Sequence, residues 1–241
     1  MSPHPPDPPL PLGHPLPDWQ PRPRPARAPM VGRYCRLEPI DPARHADRLY
    51  AANAQDAAGA MWTYLGYGPF DSVAAYRAWM DETCGGDDPL FFAIVDPVAD
   101  APLGLAAYLR IDPHHGSIEV GHLAYSPALQ RTRAATEAMG LMMAHAFDLG
   151  YRRYEWKCNA LNAPSRRAAQ RLGFSFEGVF RQAQVVKGRN RDTAWYAAID
   201  GEWAELRAAF ERWLDPANFD SAGRQRVSLS ALTRPILKQR G

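Results

Sequence analysis

One stretch of the chain, residues 119–139, constrains the fold more than any other. Its sequence, EVGHLAYSPALQRTRAATEAM, starts as an apolar strand that runs to Tyr125 and is stopped by a Ser-Pro turn. A basic loop of small residues then opens a long helix. The first N–H groups of a helix lack intrahelical partners, and the helix dipole is positive at that end. Because Ala134 and Ala135 let an anion approach the backbone closely, we expect a phosphate group to bind there.

The segments around this unit alternate between strand and helix patterns. Residues 102–111 and 117–125 form a predicted hairpin, and Asp71 and Gly173 are the expected start and stop signals of two helices. Helices are predicted at 45–54, 71–81, 132–149, 162–172 and 202–214, and the remaining strands at 33–37, 90–95, 153–158, 179–186 and 192–199. This alternation predicts an α/β domain with a mixed sheet.

The two ends of the chain differ in composition from its middle. Residues 1–29 hold 12 of the 23 prolines, so this segment favours extended structure and cannot build a core. We therefore divide the chain into a proline-rich arm at 1–29, a folded domain at 30–214 and an extension at 215–241. Trp19 is the expected anchor of the arm, either on the domain surface or on a neighbouring subunit.

Composition and missing motifs exclude several classes of function. A net charge of +2 argues against a dedicated nucleic-acid binder, and no apolar run is long enough for a membrane span. Three widely separated cysteines without a CxxC pair predict reduced thiols and a cytoplasmic location. The seven histidines lack metal-ligand spacing, so no metal is expected. Neither a hydrolase elbow nor a Walker or Rossmann glycine motif is present.

Two ordered motifs resemble those of the GNAT family of acyl-CoA-dependent N-acyltransferases. Residues 130–138, QRTRAATEA, resemble its pyrophosphate loop, Gln/Arg-x-x-Gly-x-Gly/Ala, although Arg133 replaces the central glycine. Residues 162–178, NAPSRRAAQRLGFSFEG, match its pattern of Asn-x-x-Ser, a short helix, Leu-Gly-Phe and Glu-Gly. The resemblance covers roughly residues 31–214. Within the family, the chain looks like the ribosomal-protein N-terminal acetyltransferase branch.

The resemblance implies the GNAT fold, with a mixed, mostly antiparallel central sheet flanked by helices. This sheet is splayed between its fourth and fifth strands, which here are residues 117–125 and 153–158. Acetyl-CoA, or another acyl-CoA, is the implied co-substrate, and its pantetheine arm enters the gap like an extra strand. The implied donor-binding residues are Leu123, Ala124, Tyr125, Gln130, Arg131, Thr132, Arg133, Ala134, Ala135, Thr136, Asn162 and Ser165.

The implied reaction is acetyl transfer to a primary amine by direct attack in a ternary complex. The amine belongs to a small molecule or to a protein or peptide N-terminus. Glu119 is the candidate base, with Glu177 or a water chain as alternatives, and Ser165 is the candidate acid for the departing thiolate. Two structural alternatives stay open: Glu119 as a carboxylate that holds an arginine or a backbone group, and Ser165 as a first-turn serine without a chemical role.

The predicted acceptor pocket combines an aromatic, glycine-punctuated loop, residues 61–70, with the neighbouring strands. Its candidate residues are Trp62, Tyr64, Tyr67, Arg181 and Trp195. Arg181 suits a carboxylate on the acceptor or on a dicarboxylic acyl group. The alternative for the loop is a hydrophobic satellite cluster.

Two further questions stay open at this stage. The chain can be an acyl-CoA-binding sensor without turnover, or it can transfer succinyl or another acyl group instead of acetyl. The sheet and the arms also allow a homodimer.

Overall fold

Eight strands form one continuous sheet in the computed structural model, which describes residues 10–241; residues 1–9 of the arm lie outside the described residues. The strands are β1 (Met30–Val31), β2 (Arg36–Pro39), β3 (Leu90–Asp96), β4 (Ala101–Asp112), β5 (Ser117–Tyr125), β6 (Arg153–Asn159), β7 (Ser175–Val186) and β8 (Arg189–Ile199). Their order is β1-β2-β3-β4-β5-β6-β8-β7, and the β5–β6 pair alone is parallel. The predicted mixed, mostly antiparallel sheet is confirmed.

Six α-helices flank the sheet: α1 (Pro42–Asn53), α2 (Val73–Thr83), α3 (Arg133–Asp148), α4 (Ala163–Arg171), α5 (Asp200–Leu214) and α6 (Leu229–Thr233). Short 3-10 turns span Ala60–Trp62 and Pro216–Asn218. The cap of α2 is Ser72 and not the expected Asp71, because Ser72 Oγ accepts the N–H of Ala75 at 3.1 Å. Gly173 follows α4 with a φ of 95°, as predicted. Within residues 10–241, no helix has the length and apolarity needed to cross a membrane.

The core has two layers, one on each face of the sheet. Helices α1 and α2 cover one face of β2 to β5, and α3 and α5 pack on the other. Strand β3 is apolar along most of its length because side chains on both of its faces are buried. Leu90, Phe92 and Ile94 point to the α3 side, while Phe91 and Val95 point to the α1 side. The sheet is therefore buried on both faces at this strand.

Strands β5 and β6 diverge after four residue pairs. Their pairing runs from Ser117 opposite Arg153 to Val120 opposite Trp156, although both strands continue beyond it. In the β4–β5 ladder, Gly121 pairs with Ala107 and Ala124 pairs with Leu105, so three residue steps on β5 face two on β4. Strand β5 therefore has a one-residue bulge, and His122 within it has a φ of +52°. Because a bulge increases twist and redirects the strand, it turns the end of β5 away from β6.

Described residues of the proline-rich arm pack on the β4–β5 turn. The indole Nε1 of Trp19 donates to the carbonyl oxygen of His114 at 2.8 Å, and the ring lies against Gly116. The N–H of Arg22 donates to the oxygen of Pro113 at 2.9 Å, and its guanidinium stacks over the Trp19 ring. The expected anchor Trp19 thus contacts the domain surface.

The last residues of the chain return to the start of β7. The N–H of Phe176 donates to the Gln239 oxygen at 3.0 Å, and the N–H of Lys238 donates to Ser175 Oγ at 2.9 Å. Thr233 Oγ1 donates to the Arg171 oxygen at the end of α4, at 3.1 Å. The extension therefore covers both an open sheet edge and a helix end.

A single carboxylate ties α3 to the turn between β1 and β2. Glu137 is buried, and its two oxygens accept the backbone N–H groups of Arg33, Tyr34 and Cys35 at 2.6–2.8 Å. Gly32 lies so close to this carboxylate that a Cβ there would be 2.4 Å from it. The carboxylate takes the place of the backbone partners that a tight turn lacks.

Replacing Glu137 with Ala should lower the free energy of unfolding by about 3 kcal/mol or more, because three buried N–H groups lose a charged acceptor. Glu137→Gln, which keeps one oxygen acceptor, should cost less. Urea unfolding monitored by circular dichroism measures both values. A loss of less than about 1 kcal/mol for Glu137→Ala would contradict this role.

Candidate active site

A cavity of about 500 Å³ occupies the gap where β5 and β6 diverge. Its walls come from residues 119–123 of β5, 156–159 of β6, the loop at 61–67 and the hairpin of β7 and β8. Asn162 and Ser165 at the start of α4 complete it. Of the predicted site residues, this cavity unites Glu119, Leu123, Asn162, Ser165, Tyr64, Tyr67 and Trp195.

The start of α3, where the sequence predicts an anion site, has the features of a capped helix N-terminus. Thr132 caps the helix, since its Oγ1 accepts the N–H of Ala135 at 3.1 Å. The N–H groups of Arg133 and Ala134 have no acceptor within residues 10–241. Gln130 braces the preceding loop by donating from Nε2 to the Tyr125 oxygen at 2.8 Å. The loop is thus held with two free N–H groups at the positive end of a helix.

The arginine at the family's glycine position has a helical backbone. Arg133 is the first residue of α3, and the left-handed φ of +63° falls instead on Arg131. The guanidinium of Arg133 lies over the Phe219 ring at 3.9 Å and near the Tyr34 ring at 5.5 Å. No glycine is needed here because the backbone is helical and aromatic rings hold the side chain.

A second positive charge lies beside the first turn of α3. The Nη1 of Arg171 donates to Thr136 Oγ1 at 3.1 Å, and its guanidinium packs over the Trp213 ring at 4.9 Å. Burial lowers the pKa of Arg171, and no acid within residues 10–241 forms an ion pair with it. A half-buried cation without an acid partner beside a helix N-terminus favours an anionic ligand.

The serine predicted to act on the leaving group has a defined orientation. The N–H of Ser165 donates to the Asn162 side-chain oxygen at 3.1 Å, so Asn162 caps α4 as expected. The indole Nε1 of Trp156 donates to Ser165 Oγ at 3.0 Å. Because Oγ already accepts this bond, its own hydrogen is available to donate into the cleft.

Glu119 is buried at the opposite side of the cleft and is held by two cations. Arg110 Nη1 lies 2.7 Å from its Oε1, and Lys157 Nζ lies 2.9 Å from its Oε2. Burial raises the pKa of Glu119, while Lys157 and Arg110 oppose that rise. Lys157 also contacts Glu155 at 2.7 Å. Both the base and the arginine-holding interpretations of Glu119 are therefore compatible with its position.

Glu177, the weaker base candidate, lies outside the cavity. Its Oε1 accepts from Arg153 Nη1 at 2.8 Å, and Arg153 also contacts Glu155. Glu177 is thus engaged in a surface ion pair on β7, away from the diverging strands.

Two predicted acceptor residues lie elsewhere. Trp62 is buried in the aromatic core beneath the loop and does not line the cavity, because Gly68, at a φ of +64°, packs directly on its indole. Arg181 is exposed on β7. The β7–β8 register shifts between Phe180 and Gln184, so the alternation of faces fails where Arg181 stands.

The opening of the cleft beside the aromatic loop is bridged by contacts that local patterns do not reveal. The ammonium group of Lys187, at the tip of the β7–β8 hairpin, donates to the carbonyl oxygens of Trp62, Tyr67 and Gly68 at 2.6–3.1 Å. The hydroxyl of Tyr64 donates to the Leu161 oxygen at 3.2 Å. The aromatic loop and the hairpin thus meet across the opening.

Among the cavity residues that sequence reasoning missed are His122 and Arg191. His122 stacks on Tyr67 at a ring distance of 5.7 Å, and burial lowers its pKa to about 4. Arg191 lines the cavity from β8, and burial lowers its pKa. No local signal marks the bulge that turns His122 inward, whereas strand alternation with Trp195 could have identified Arg191.

Within residues 10–241, no group of three or more metal-ligating side chains comes together. The two remaining predicted donor residues of β5, Ala124 and Tyr125, follow Leu123 at the end of the strand. Ala124 is buried toward α1, and burial raises the pKa of Tyr125.

The central part of the chain matches a known protein family. The acetyltransferase (GNAT) domain family matches residues 35–175, which include β5, the start of α3 and α4. A GCN5-related N-acetyltransferase from Brucella melitensis has a similar crystal structure, with 49% identity and a TM-score of 0.89. The match covers 91% of this chain and all of that one.

Two curated relatives match a shorter part of the chain. One is an uncharacterized N-acetyltransferase, p20, from Bacillus licheniformis, 28% identical over 47% of this chain. The other is the ribosomal-protein-serine acetyltransferase of Escherichia coli, 29% identical over 42% of this chain. The chain spans 64% and 56% of the lengths of these relatives, respectively.

The buried His122 should make stability depend on pH. Because its folded pKa of about 4 lies below the ordinary 6.5, the unfolded state binds the proton more tightly, so stability should fall as pH drops from 6.5 to 4. The loss attributable to this residue is at most about 3 kcal/mol. His122→Asn tolerates the left-handed backbone and cannot titrate, so its stability should fall less over this range.

Urea unfolding of both proteins between pH 7 and pH 4 measures this difference. Parallel stability profiles for the two proteins would show that His122 does not titrate as described.

Proposed function

The chain belongs to the GNAT acetyltransferase family, and on that premise we propose that it transfers the acetyl group of acetyl-CoA to a primary amine. The observation that carries this proposal is the cleft between β5 and β6, which joins an anion-binding helix start to a buried carboxylate. Family membership supports acetyl transfer in general. The amine acceptor and the residue roles are our own assignments.

Donor binding is assigned to the start of α3 and the unpaired edge of β5. Residues 131–136 offer free N–H groups and the helix dipole to the pyrophosphate, and Arg171 adds a positive charge beside Thr136. The pantetheine arm follows β5 from Leu123 to Tyr125, where β6 no longer pairs with it. Both features fit an extended, phosphate-bearing thioester.

Proton removal from the amine is assigned to Glu119. An alkyl amine is mostly protonated at neutral pH, so it becomes a nucleophile only after losing a proton. A carboxylate with a raised pKa is a stronger base than an ordinary one, and burial supplies that rise here. Lys157 on β6 and Arg110 on β4 keep the carboxylate of Glu119 oriented.

Protonation of the departing CoA thiolate is assigned to Ser165. The bond from Trp156 leaves the hydroxyl hydrogen of Ser165 free to donate. A thioester is already activated, so direct attack by the amine needs no acyl-enzyme. Cys158 is an unsuitable nucleophile because burial raises the pKa of its thiol.

The finer features of the reaction are also proposals. Similarity to a ribosomal-protein-serine acetyltransferase supports a peptide N-terminus as one acceptor class, while the bridged cleft supports a small amine. The three unpaired, buried cysteines support a cytoplasmic location. We also propose a homodimer, because the sheet and the arms allow one.

A second candidate function is acyl-CoA sensing without turnover. It is supported by Glu119, whose two oxygens are both engaged by cations instead of being free to accept a proton. Incubation with acetyl-CoA and a panel of amines, peptides and polyamines separates the two functions when free thiol is followed. Acceptor-dependent thiol release supports the transferase, and tight CoA binding without such release supports the sensor.

Glu119→Gln and Ser165→Ala should each lower kcat by about 100-fold, the usual scale for loss of one acid or base, while the Kd for CoA changes less than twofold. The wild-type rate should rise with pH as Glu119 loses its proton, and Glu119→Gln should lack this rise. Glu205→Gln, an exposed change on α5, is the matched control. Unchanged kcat in both variants would remove these role assignments.

Arg171→Gln should raise the Kd for CoA about tenfold, because one charge-assisted contact to a phosphate is lost. The exposed Arg167→Gln, on the same helix, is the control for a general loss of positive charge. Isothermal titration with CoA measures both. Equal Kd values for the two variants would place the phosphates away from Arg171.

A further inference from the structure

Several buried polar atoms around the cleft have no hydrogen-bond partner in the part of the chain that the structure describes. Five of these atoms belong to residues that line the cavity between β5 and β6. One, Glu119 Oε2, is 2.9 Å from the ammonium group of Lys157, and the other four are Tyr67 OH, Arg191 Nε, Thr193 Oγ1 and Trp195 Nε1. Buried polar groups are nearly always partnered in folded proteins. A cluster of exceptions around one cavity therefore indicates that a polar ligand completes it.

Three of these residues form a row on one face of β8. Arg191, Thr193 and Trp195 alternate along the strand, whereas Ala194 and Tyr196 point into the core on the other face. The row reaches Lys157, whose ammonium group lies 3.9 Å from the centre of the Trp195 ring. The row therefore adjoins Lys157, which is paired with Glu119.

The chemistry of the row specifies the missing partner. The Nε–H of Arg191 and the Nε1–H of Trp195 can only donate, so their partner must be an acceptor. The hydroxyl groups of Thr193 and Tyr67 can also donate. An oxygen-bearing group with several lone pairs, such as a carboxylate, satisfies such a set of donors.

The charge balance of the cavity points the same way. Arg110 and Lys157 are already paired with Glu119, and His122 is neutral at pH 7 because its pKa is about 4. Arg191 forms no ion pair with an acid anywhere in residues 10–241. A half-buried guanidinium without a counter-ion favours an anionic group nearby.

We propose that Arg191, with Thr193 and Trp195, binds a carboxylate of the substrate in the cleft. The proposal rests on the proposed function, since it takes the ligand to be a reactant of acyl transfer. The carboxylate belongs either to the amine acceptor, as in an amino acid, or to a dicarboxylic acyl group such as succinyl. A cavity of about 500 Å³ suits a small reactant of this kind.

The first test compares reactants that differ only in the carboxylate. Acceptor pairs are L-amino acids and their C-terminal amides with acetyl-CoA; the donor pair is succinyl-CoA and butyryl-CoA. If the carboxylate belongs to the amine acceptor, the free acid should have at least a tenfold higher kcat/KM than the amide. If it belongs to the acyl group, succinyl-CoA should bind at least tenfold more tightly than butyryl-CoA.

The second test uses variants of β8. Arg191→Gln should abolish the preference for the carboxylate, chiefly by raising the KM for the carboxylate-bearing reactant. Arg191→Lys keeps the charge without the planar donor and should restore part of the preference. Arg189→Gln, an exposed arginine on the same strand, should keep the full preference. Thermal unfolding confirms that each variant is folded.

Binding and turnover distinguish the possible failures. If no amine releases thiol but the carboxylate member of a pair still binds more tightly in titration, the proposed function fails and the carboxylate site stands. If turnover occurs and neither pair shows a preference that depends on Arg191, the carboxylate site is overturned. Absence of any preference in both binding and turnover overturns it as well.

Discussion

The parting of β5 and β6 is the constraint on which the rest of the site depends. Four parallel residue pairs hold the strands together, and the bulge at His122 then turns β5 away. The separation leaves backbone groups unpaired in the middle of a sheet, an arrangement that a bound extended ligand can complete. The first turn of α4 and the buried Glu119 line this gap, and β5 leads from it to the loop that precedes α3.

Long-range contacts set the shape of the two sides of this gap. Next to the start of α3, the chain's last segment supplies Phe219, which holds Arg133, and the extension also contacts the end of α4. At the opening of the cleft, Lys187 joins the hairpin to the aromatic loop. These contributions come from beyond residue 175, outside the range that matches the family. Both parts of the candidate site therefore depend on contacts from outside that range.

Periodicity and capping patterns predicted most elements, because they depend on neighbours within a few residues. The helix after residues 130–132, the Asn162 cap and the Gly173 stop all appear where local chemistry requires them. The composition of the aromatic loop and the neighbouring strands, from which the acceptor residues were predicted, does not show which side chains line the cavity. Trp62 is buried by Gly68, and Arg181 is exposed beside a register shift, so neither lines the cavity.

The sequence by itself determined the order of strands and helices from β2 to α5, the start of α3 after residues 130–132 and the motif that places Ser165 in the first turn of α4. Only the tertiary structure decided which side chains share the cavity, since a bulge reverses the alternation of faces and depends on the partner strand. It also decided the partners of each charge: Arg110 and Lys157 reach Glu119 from neighbouring strands, while Arg191 is left without an acid in the described chain. These pairings are set by strand register and burial, which no local pattern of residues encodes.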